Sequence, residues 1–312
     1  MISQYNQPNE VNSGSDLHLQ NRMILYATHI TPRLEYMAEW LGLYLYKKPL
    51  KIVTNTDHLL QGELVFNYSD EQLLVDSIWI KPHSLLFEND IHDQHVIIKR
   101  RNDLPYFFET EGDFYFDILA ASFYLIQRYE EYLPYKKDIY GRYAHENSIA
   151  FKENFLHLPL VDLWLVELKK IIRAKFIDAY STFAIHHFHF LPTYDFDIAY
   201  SYKGKGFWRN VGRFIKSLHN WPLAKKQIQV LFGKQQDPFD IYDEIYMLHK
   251  KYKLKSIYFF LLAKRQRGYD KNIHPLKDEM RSLIKVIAPR DQTGIHPSWQ
   301  SGDDEHLLKE EI

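Results

Sequence analysis

The chain has 312 residues, enough for about two domains, and its 39 Lys and Arg against 40 Asp and Glu leave it close to neutral. That balance lacks the basic excess of nucleic-acid binders, so no nucleic-acid partner is expected. The absence of cysteine excludes disulfides, thiolate metal sites and thiol nucleophiles.

Residues 1–22 are polar, with no basic start followed by an apolar run, and read as a flexible tail rather than a secretory signal. No stretch of 18 uncharged apolar residues follows anywhere, so no transmembrane segment is expected and the cytoplasm is the default location. The 20 Phe, 23 Tyr and 6 Trp suit a core, and they also suit stacking on sugar rings. Residues 23–26 predict a strand and 35–45 a helix. Strands are predicted again at 51–54, 63–67 and 77–80, where β-branched and aromatic residues sit between turn-like breaks. Phe116, Leu119, Ala120, Phe123 and Ile126 recur at helical spacing, as do Leu160, Trp164, Leu168 and Ile171 after Pro159. Residues 23–178 therefore predict a mixed α/β domain, with a boundary at 178–184.

Beyond that boundary the pattern alternates strand and helix. A strand is predicted at 187–194 and a helix pair between 210 and 252, its second member opened by Asp237 as N-cap with Pro238 in the first turn. The apolar run at 256–262 suits a parallel strand buried on both faces. A helix at 276–286, a short strand ending in Gly294-Ile295-His296-Pro297-Ser298-Trp299 and a last helix begun by Ser301-Gly302-Asp303-Asp304 complete the order. Such alternation predicts a parallel sheet or a β/α barrel. A whole barrel takes about 250 residues, and roughly 125 follow the boundary, so about half of one is expected.

Two segments could carry chemistry. In Leu191-Pro192-Thr193-Tyr194-Asp195-Phe196-Asp197 the period-2 alternation of a strand puts Asp195 and Asp197 on one face, with Thr193, His189 and His187, while Tyr194, Phe196, Phe188 and Phe190 point to the other. Two carboxylates at the C-terminal end of a barrel strand lie where barrel enzymes work, and their mutual repulsion favours a bound cation. His296 ends a later strand and adds an imidazole, which with carboxylate suits zinc and related divalent ions. Each signal taken alone also fits a plainer role: solvated loop carboxylates for the pair, a structural loop histidine for His296. His186, His187 and His189 read as structural. Lys203-Gly204-Lys205-Gly206-Phe207-Trp208-Arg209 lacks the spacing of a phosphate-binding glycine loop and reads as a basic surface loop or as a contact for an anionic or sugar ligand.

Together these segments resemble the polysaccharide deacetylases of carbohydrate esterase family 4, the NodB-homology domains. In the branch of that family that reads T-F-D-x-D, the first Asp is the base and the second a metal ligand. Here the pattern stands as Thr193-Tyr194-Asp195-Phe196-Asp197. The family's second motif is a histidine, a small hydroxyl residue and, four residues after the first, another His or Asp. His296 matches, Ser298 is displaced by Pro297, and the fourth position on is Gln300, a departure. The wider stretch, including Asp237-Pro238-Phe239, Tyr258-Phe259-Phe260-Leu261, Tyr269-Asp270-Lys271 and the earlier Phe116-Asp117-Ile118-Leu119-Ala120, resembles a bacterial subgroup in which an α/β domain of unknown role precedes the barrel.

The resemblance implies an N-terminal mixed α/β domain at 23–178 followed by a partial β/α barrel of the deacetylase type at 185–312. It implies metal-assisted removal of N-acetyl groups from a polysaccharide or amino sugar. Asp195 would be the catalytic base. Asp197 and His296 would hold a divalent metal such as zinc, with Gln300 or Ser301 as a weak third ligand, and Tyr194 and Trp299 would lie against the carbohydrate. The family's later motifs would fall beyond Ile312, so the chain by itself is expected to hold an incomplete site whose full-length parent is the deacetylase. Two other functions fit some of the same residues. An aspartate-nucleophile phosphatase also carries D-x-D after an apolar strand, but gives His296 no role. A carbohydrate-binding remnant that kept the fold and lost the metal would explain Gln300. The oligomeric state is left open by the sequence.

Overall fold

Strand β1 (Met23–Ala27) begins the first unit of the computed structural model, which describes residues 23–59, 63–73, 76–176, 183–184 and 189–312. The predicted tail at 1–22 and most of the predicted boundary at 178–184 lie outside the described residues, as do His186, His187 and Phe188. Helix α1 (Pro32–Tyr46) follows β1. Thr31 caps it by accepting from the Leu34 amide, Pro32 sits in its first turn, and the left-handed Lys47 ends it. Strands β2 (Lys51–Val53), β3 (Leu64–Tyr68) and β4 (Ile78–Ile80) complete a four-stranded parallel sheet of order β2-β1-β3-β4.

A hairpin of β5 (Lys99–Arg101) and β6 (Leu104–Tyr106) was not foreseen in the sequence. Its two-residue turn, Asn102-Asp103, has both residues at positive φ, the turn that matches the twist of paired strands. Helices α2 (Ile118–Ile126), α3 (Ile149–Lys152) and α4 (Leu160–Lys175) follow. Leu160, Trp164, Leu165, Leu168 and Ile172 of α4 are buried, and the Trp164 indole N–H donates to the Pro105 carbonyl at 2.8 Å.

Helix α2 starts two residues later than the apolar spacing suggested, because Asp117 is its N-cap. The wholly buried carboxylate accepts from the Leu119 and Ala120 amides at 3.0 and 2.9 Å, the His83 amide at 2.7 Å and the Tyr68 hydroxyl at 2.6 Å. Burial outweighs these donors and pushes the carboxyl up to about 6, from an ordinary value of 3.8. A raised folded value means that the folded unit binds this proton more tightly than the unfolded chain does. The contribution is therefore fully present below about 4 and is lost as pH rises through about 6, by roughly 3 kcal/mol. Asp117→Asn is expected to flatten that part of the pH dependence, because an amide does not titrate, so any deficit of the variant is largest near pH 4 and shrinks towards neutrality. Urea unfolding of both proteins between pH 4 and 7 checks this.

The second unit, divided from the first between His186 and His187, is built on a three-stranded parallel sheet of order β7-β8-β9. Its strands are β7 (Thr193–Phe196), β8 (Ile257–Leu261) and β9 (Gln292–His296). The first begins later than the predicted 187–194, and its described lead-in, 189–192, is not strand. Helices α5 (Phe207–Ser217), α6 (Trp221–Leu231) and α7 (Tyr242–Tyr252) lie between β7 and β8, three where two were predicted. Helix α8 (Asp278–Ile287) joins β8 to β9, and α9 (Glu305–Glu311), capped by Asp304, follows a 3-10 turn at Trp299–Asp303.

One face of this sheet carries Tyr194, Phe196, Tyr258 and Phe260. It packs under Tyr242 and Ile245 of α7 and under Met280, Leu283, Ile284 and Ile287 of α8. On the other face Ile257 and Phe259 stay half-buried and Asp195 exposed. The apolar run of β8 is thus fully covered on one side, while on the other only Leu261 is buried. The described residues form two α/β units with parallel sheets, and no barrel closes among them.

Candidate functional site at the strand ends

The parallel register sets Asp195 beside Phe259, Phe259 beside Gly294, and Leu261 beside His296. Asp195, Phe259, Gly294 and His296 therefore share the open face of the sheet. A β-carbon on Gly294 would stand 2.7 Å from the Phe259 ring, so the glycine is what lets that ring lie across β9. Asp197 is one residue past the end of β7 and is exposed. Its Oδ1 lies 3.8 Å from Nε2 of His296.

The other ring nitrogen, Nδ1, is 2.9 Å from the Pro297 carbonyl oxygen. A carbonyl only accepts, so this bond puts a proton on Nδ1, and in the neutral ring Nε2, which faces Asp197, is then the nitrogen that can bind a metal. Bonds of about 2.0–2.2 Å from a nitrogen and an oxygen to one ion, opened at a tetrahedral or somewhat wider angle, span about 3.4–3.8 Å. The pair thus fits two ligands of one cation. Among the described residues no third His, Asp or Glu joins them in a cluster of metal-site type.

Of the two weaker candidates, Gln300 is held through its amide nitrogen and Ser301 through its hydroxyl. Gln300 donates its amide nitrogen to Asp270 Oδ2 at 3.0 Å and to the Arg265 carbonyl at 2.9 Å. The Ser301 hydroxyl is buried and donates to the Ser298 carbonyl at 2.8 Å. Tyr194 is turned to the helix-covered face, away from Asp195. Its ring stacks on Tyr258, and its hydroxyl lies 2.8 Å from His249 Nε2, in a chain that continues through Ser256 to Asp291 near the N-terminal ends of β8 and β9. Trp299, by contrast, is about half exposed and meets the exposed Tyr269 edge to face at 5.3 Å, a paired aromatic surface on the loops that follow β8 and β9.

Residues 23–177 match the model of a family of unknown function, DUF7033. The DUF7033 match ends before β7 and so covers none of the candidate site. No curated protein and no solved structure matches the chain.

What the sequence reading missed is the set of buried polar side chains that fixes the loops after the strands. Asn272 donates to the Phe196 carbonyl at 2.7 Å and the Leu261 carbonyl at 3.0 Å, and accepts from the amides of Ala199 and Ile273. Asp237 does not cap α7, which starts five residues later. Its buried carboxylate instead accepts from the amides of Ser201, Tyr202, Lys203 and Phe239. Burial alone would raise that carboxyl, but the four donors outweigh it and hold it below the ordinary carboxylate value. Asp270 accepts from the Trp299 amide, and Glu311 accepts from the amides of Ser298 and Lys264. Every loop at this end of the sheet is therefore held by a side chain with little or no exposure to water, the kind of support that preorganises a site.

Proposed function

We propose that the second unit is part of a metal-dependent hydrolase of the polysaccharide-deacetylase type, which removes N-acetyl groups from an amino sugar or polysaccharide in the cytoplasm. The observation that carries this reading is the 3.8 Å approach of His296 Nε2 to Asp197 Oδ1 on the rim that also holds Asp195. Three parallel strands with helices over one face support reading the unit as part of a β/α barrel.

Asp197 and His296 would hold a divalent cation such as zinc, whose chemistry when bound is to polarise an acyl oxygen and acidify water. The Nδ1 bond to Pro297 keeps the His296 ring in the orientation and tautomer that this role requires. Asp195, exposed on the same face, would accept the proton of the attacking water as general base. The water oxygen bonds to the acetyl carbon, the C–N bond breaks, and the proton passes to the departing nitrogen, giving acetate and a free amine. Trp299 and Tyr269 offer the aromatic surface against which a sugar ring stacks.

The test is release of acetate and free amine from N-acetylglucosamine oligomers with zinc added. Asp195→Asn is expected to lower the rate about 10²–10⁴-fold. Equal turnover by that variant would remove Asp195 as the base. Oligomer binding without any acetate release would favour the carbohydrate-binding reading, which the lack of a third His, Asp or Glu beside Asp197 and His296 among the described residues makes specific.

A further inference from the structure

Helices α5 and α6 each leave an apolar arc in solvent, although Val211 and Phe214 of α5 are half-buried. On α5, Phe207, Trp208, Val211, Phe214, Ile215 and the following Leu218 fall on one arc of the helix. Such an arc ordinarily faces a core, but here Phe207 is 72% exposed, Trp208 82% and Ile215 60%. The polar arc is the one packed inward. Asn210 donates to the Tyr202 carbonyl, Arg213 donates to the Ser201 carbonyl while lying over the Tyr202 ring, and Ser217 is buried. Helix α6 buries Ala224, Gln227 and Val230 and leaves a second apolar arc in solvent. Gln227 is buried and donates to the Asn210 carbonyl, while Trp221 and the following Phe232 are 62% and 77% exposed, with Ile228 beside them on the same arc.

The charge of this segment is just as one-sided. Residues 201–236 hold six lysines, two arginines and no Asp or Glu, in a chain that is otherwise balanced. Lys203 is tied to Asp240, and Arg209 and Arg213 donate to groups within the unit. Lys216, Lys225, Lys226 and Lys234 have no salt-bridge partner among the described residues.

Trp and Phe on one side of a helix pair, with lysines flanking them, is the composition of a helix that lies in the boundary between lipid headgroups and acyl chains. A second copy of this chain fits the face less well, since pairing would bring two sets of lysines together without an acid to offset them. Nucleic acid would neutralise the lysines but offers no medium for Ile215, Leu218 and Ile228. We propose that the α5–α6 hairpin is a docking surface for an anionic phospholipid bilayer, on which the protein lies without crossing. No helix among the described residues is long and apolar enough to cross.

The test is co-sedimentation of the full chain with vesicles of phosphatidylcholine alone or with about one third phosphatidylglycerol. Binding to the anionic vesicles should be at least about tenfold tighter and should weaken as salt is raised. Trp208→Ser combined with Phe232→Ser should lower it about tenfold or more, and Lys225→Glu with Lys226→Glu should do the same. All four side chains are in solvent or at the surface, so circular dichroism and thermal midpoint should stay within a few degrees of the parent and show that the variants fold. No sedimentation with anionic vesicles, or equal binding to both kinds, would overturn the proposal. So would a reversible dimer that the Trp208 and Phe232 changes dissociate, which would assign the face to a second copy.

Discussion

Replacing His296 with alanine is expected to lower the affinity for zinc at least about 100-fold, and Asp197→Ala to do the same. The expectation follows from the geometry of two atoms. Nε2 and Oδ1 stand 3.8 Å apart with no other group of the described residues completing a metal cluster around them. Each donor is thus about half of what the protein offers the ion, and removing either leaves a single ligand, which competes poorly with water. Because the two act on one ion, the double variant should lose little more than either single one, a non-additivity that independent surface sites would not produce. Asp195→Asn should change zinc affinity by no more than about threefold, since a general base touches the water and not the ion. Isothermal titration with zinc, in buffer free of chelators, reads all four variants against the parent. Undiminished binding by Asp197→Ala would remove that residue from the ligand set, and with it the main support for a shared cation.

The parts of this fold that were legible in the sequence are those written in local pattern. The four strands of the first sheet and the faces of α2 and α4 follow from apolar spacing alone, because each element buries a stripe whose period is fixed by its own backbone. Strand parity made the common face of Thr193 and Asp195 legible, but the parallel register that adds His296 to that face was not. Where several signals competed, the local one lost. Asp237-Pro238 has the form of a helix start, but the carboxylate finds four backbone donors in a loop 34–36 residues earlier, and α7 begins without it. The continuous apolar run of β8 does not say whether one face or both will be covered. The roles of Asn272, Asp270 and Glu311 were invisible, since a polar residue in a loop looks the same in sequence whether it faces water or closes a distant backbone. Phe207 and Trp208, which open α5, read in the sequence as part of a basic surface loop, so the outward apolar arc was not legible.

Asn272→Leu is expected to destabilise the second unit by about 3–5 kcal/mol and to loosen the candidate site with it. The side chain is 1% exposed and meets four backbone groups, two carbonyls and two amides, that have no route to water in its absence. Leucine branches at the same carbon and is somewhat larger, so the loss registers as unsatisfied hydrogen bonding with some overpacking rather than as a cavity. Two of the bonds join the Phe196 and Leu261 carbonyls, the last of β7 and β8, so the defect falls one residue from Asp197 and in register with His296. Denaturant unfolding of the full chain measures the stability change, and hydrogen exchange at Ala199 should rise well before exchange at the amides of β8. Asn272→Asp separates this account from simple loss of packing. Its ionised carboxylate would still accept from Ala199 but would face two carbonyl oxygens where the amide donated, so the variant should be less stable than Asn272→Leu near neutrality. Below its own titration range it gains a hydroxyl that can donate to one of those carbonyls, and part of the stability should return. Equal stability of the two variants at all pH values would mean that Asn272 only fills space.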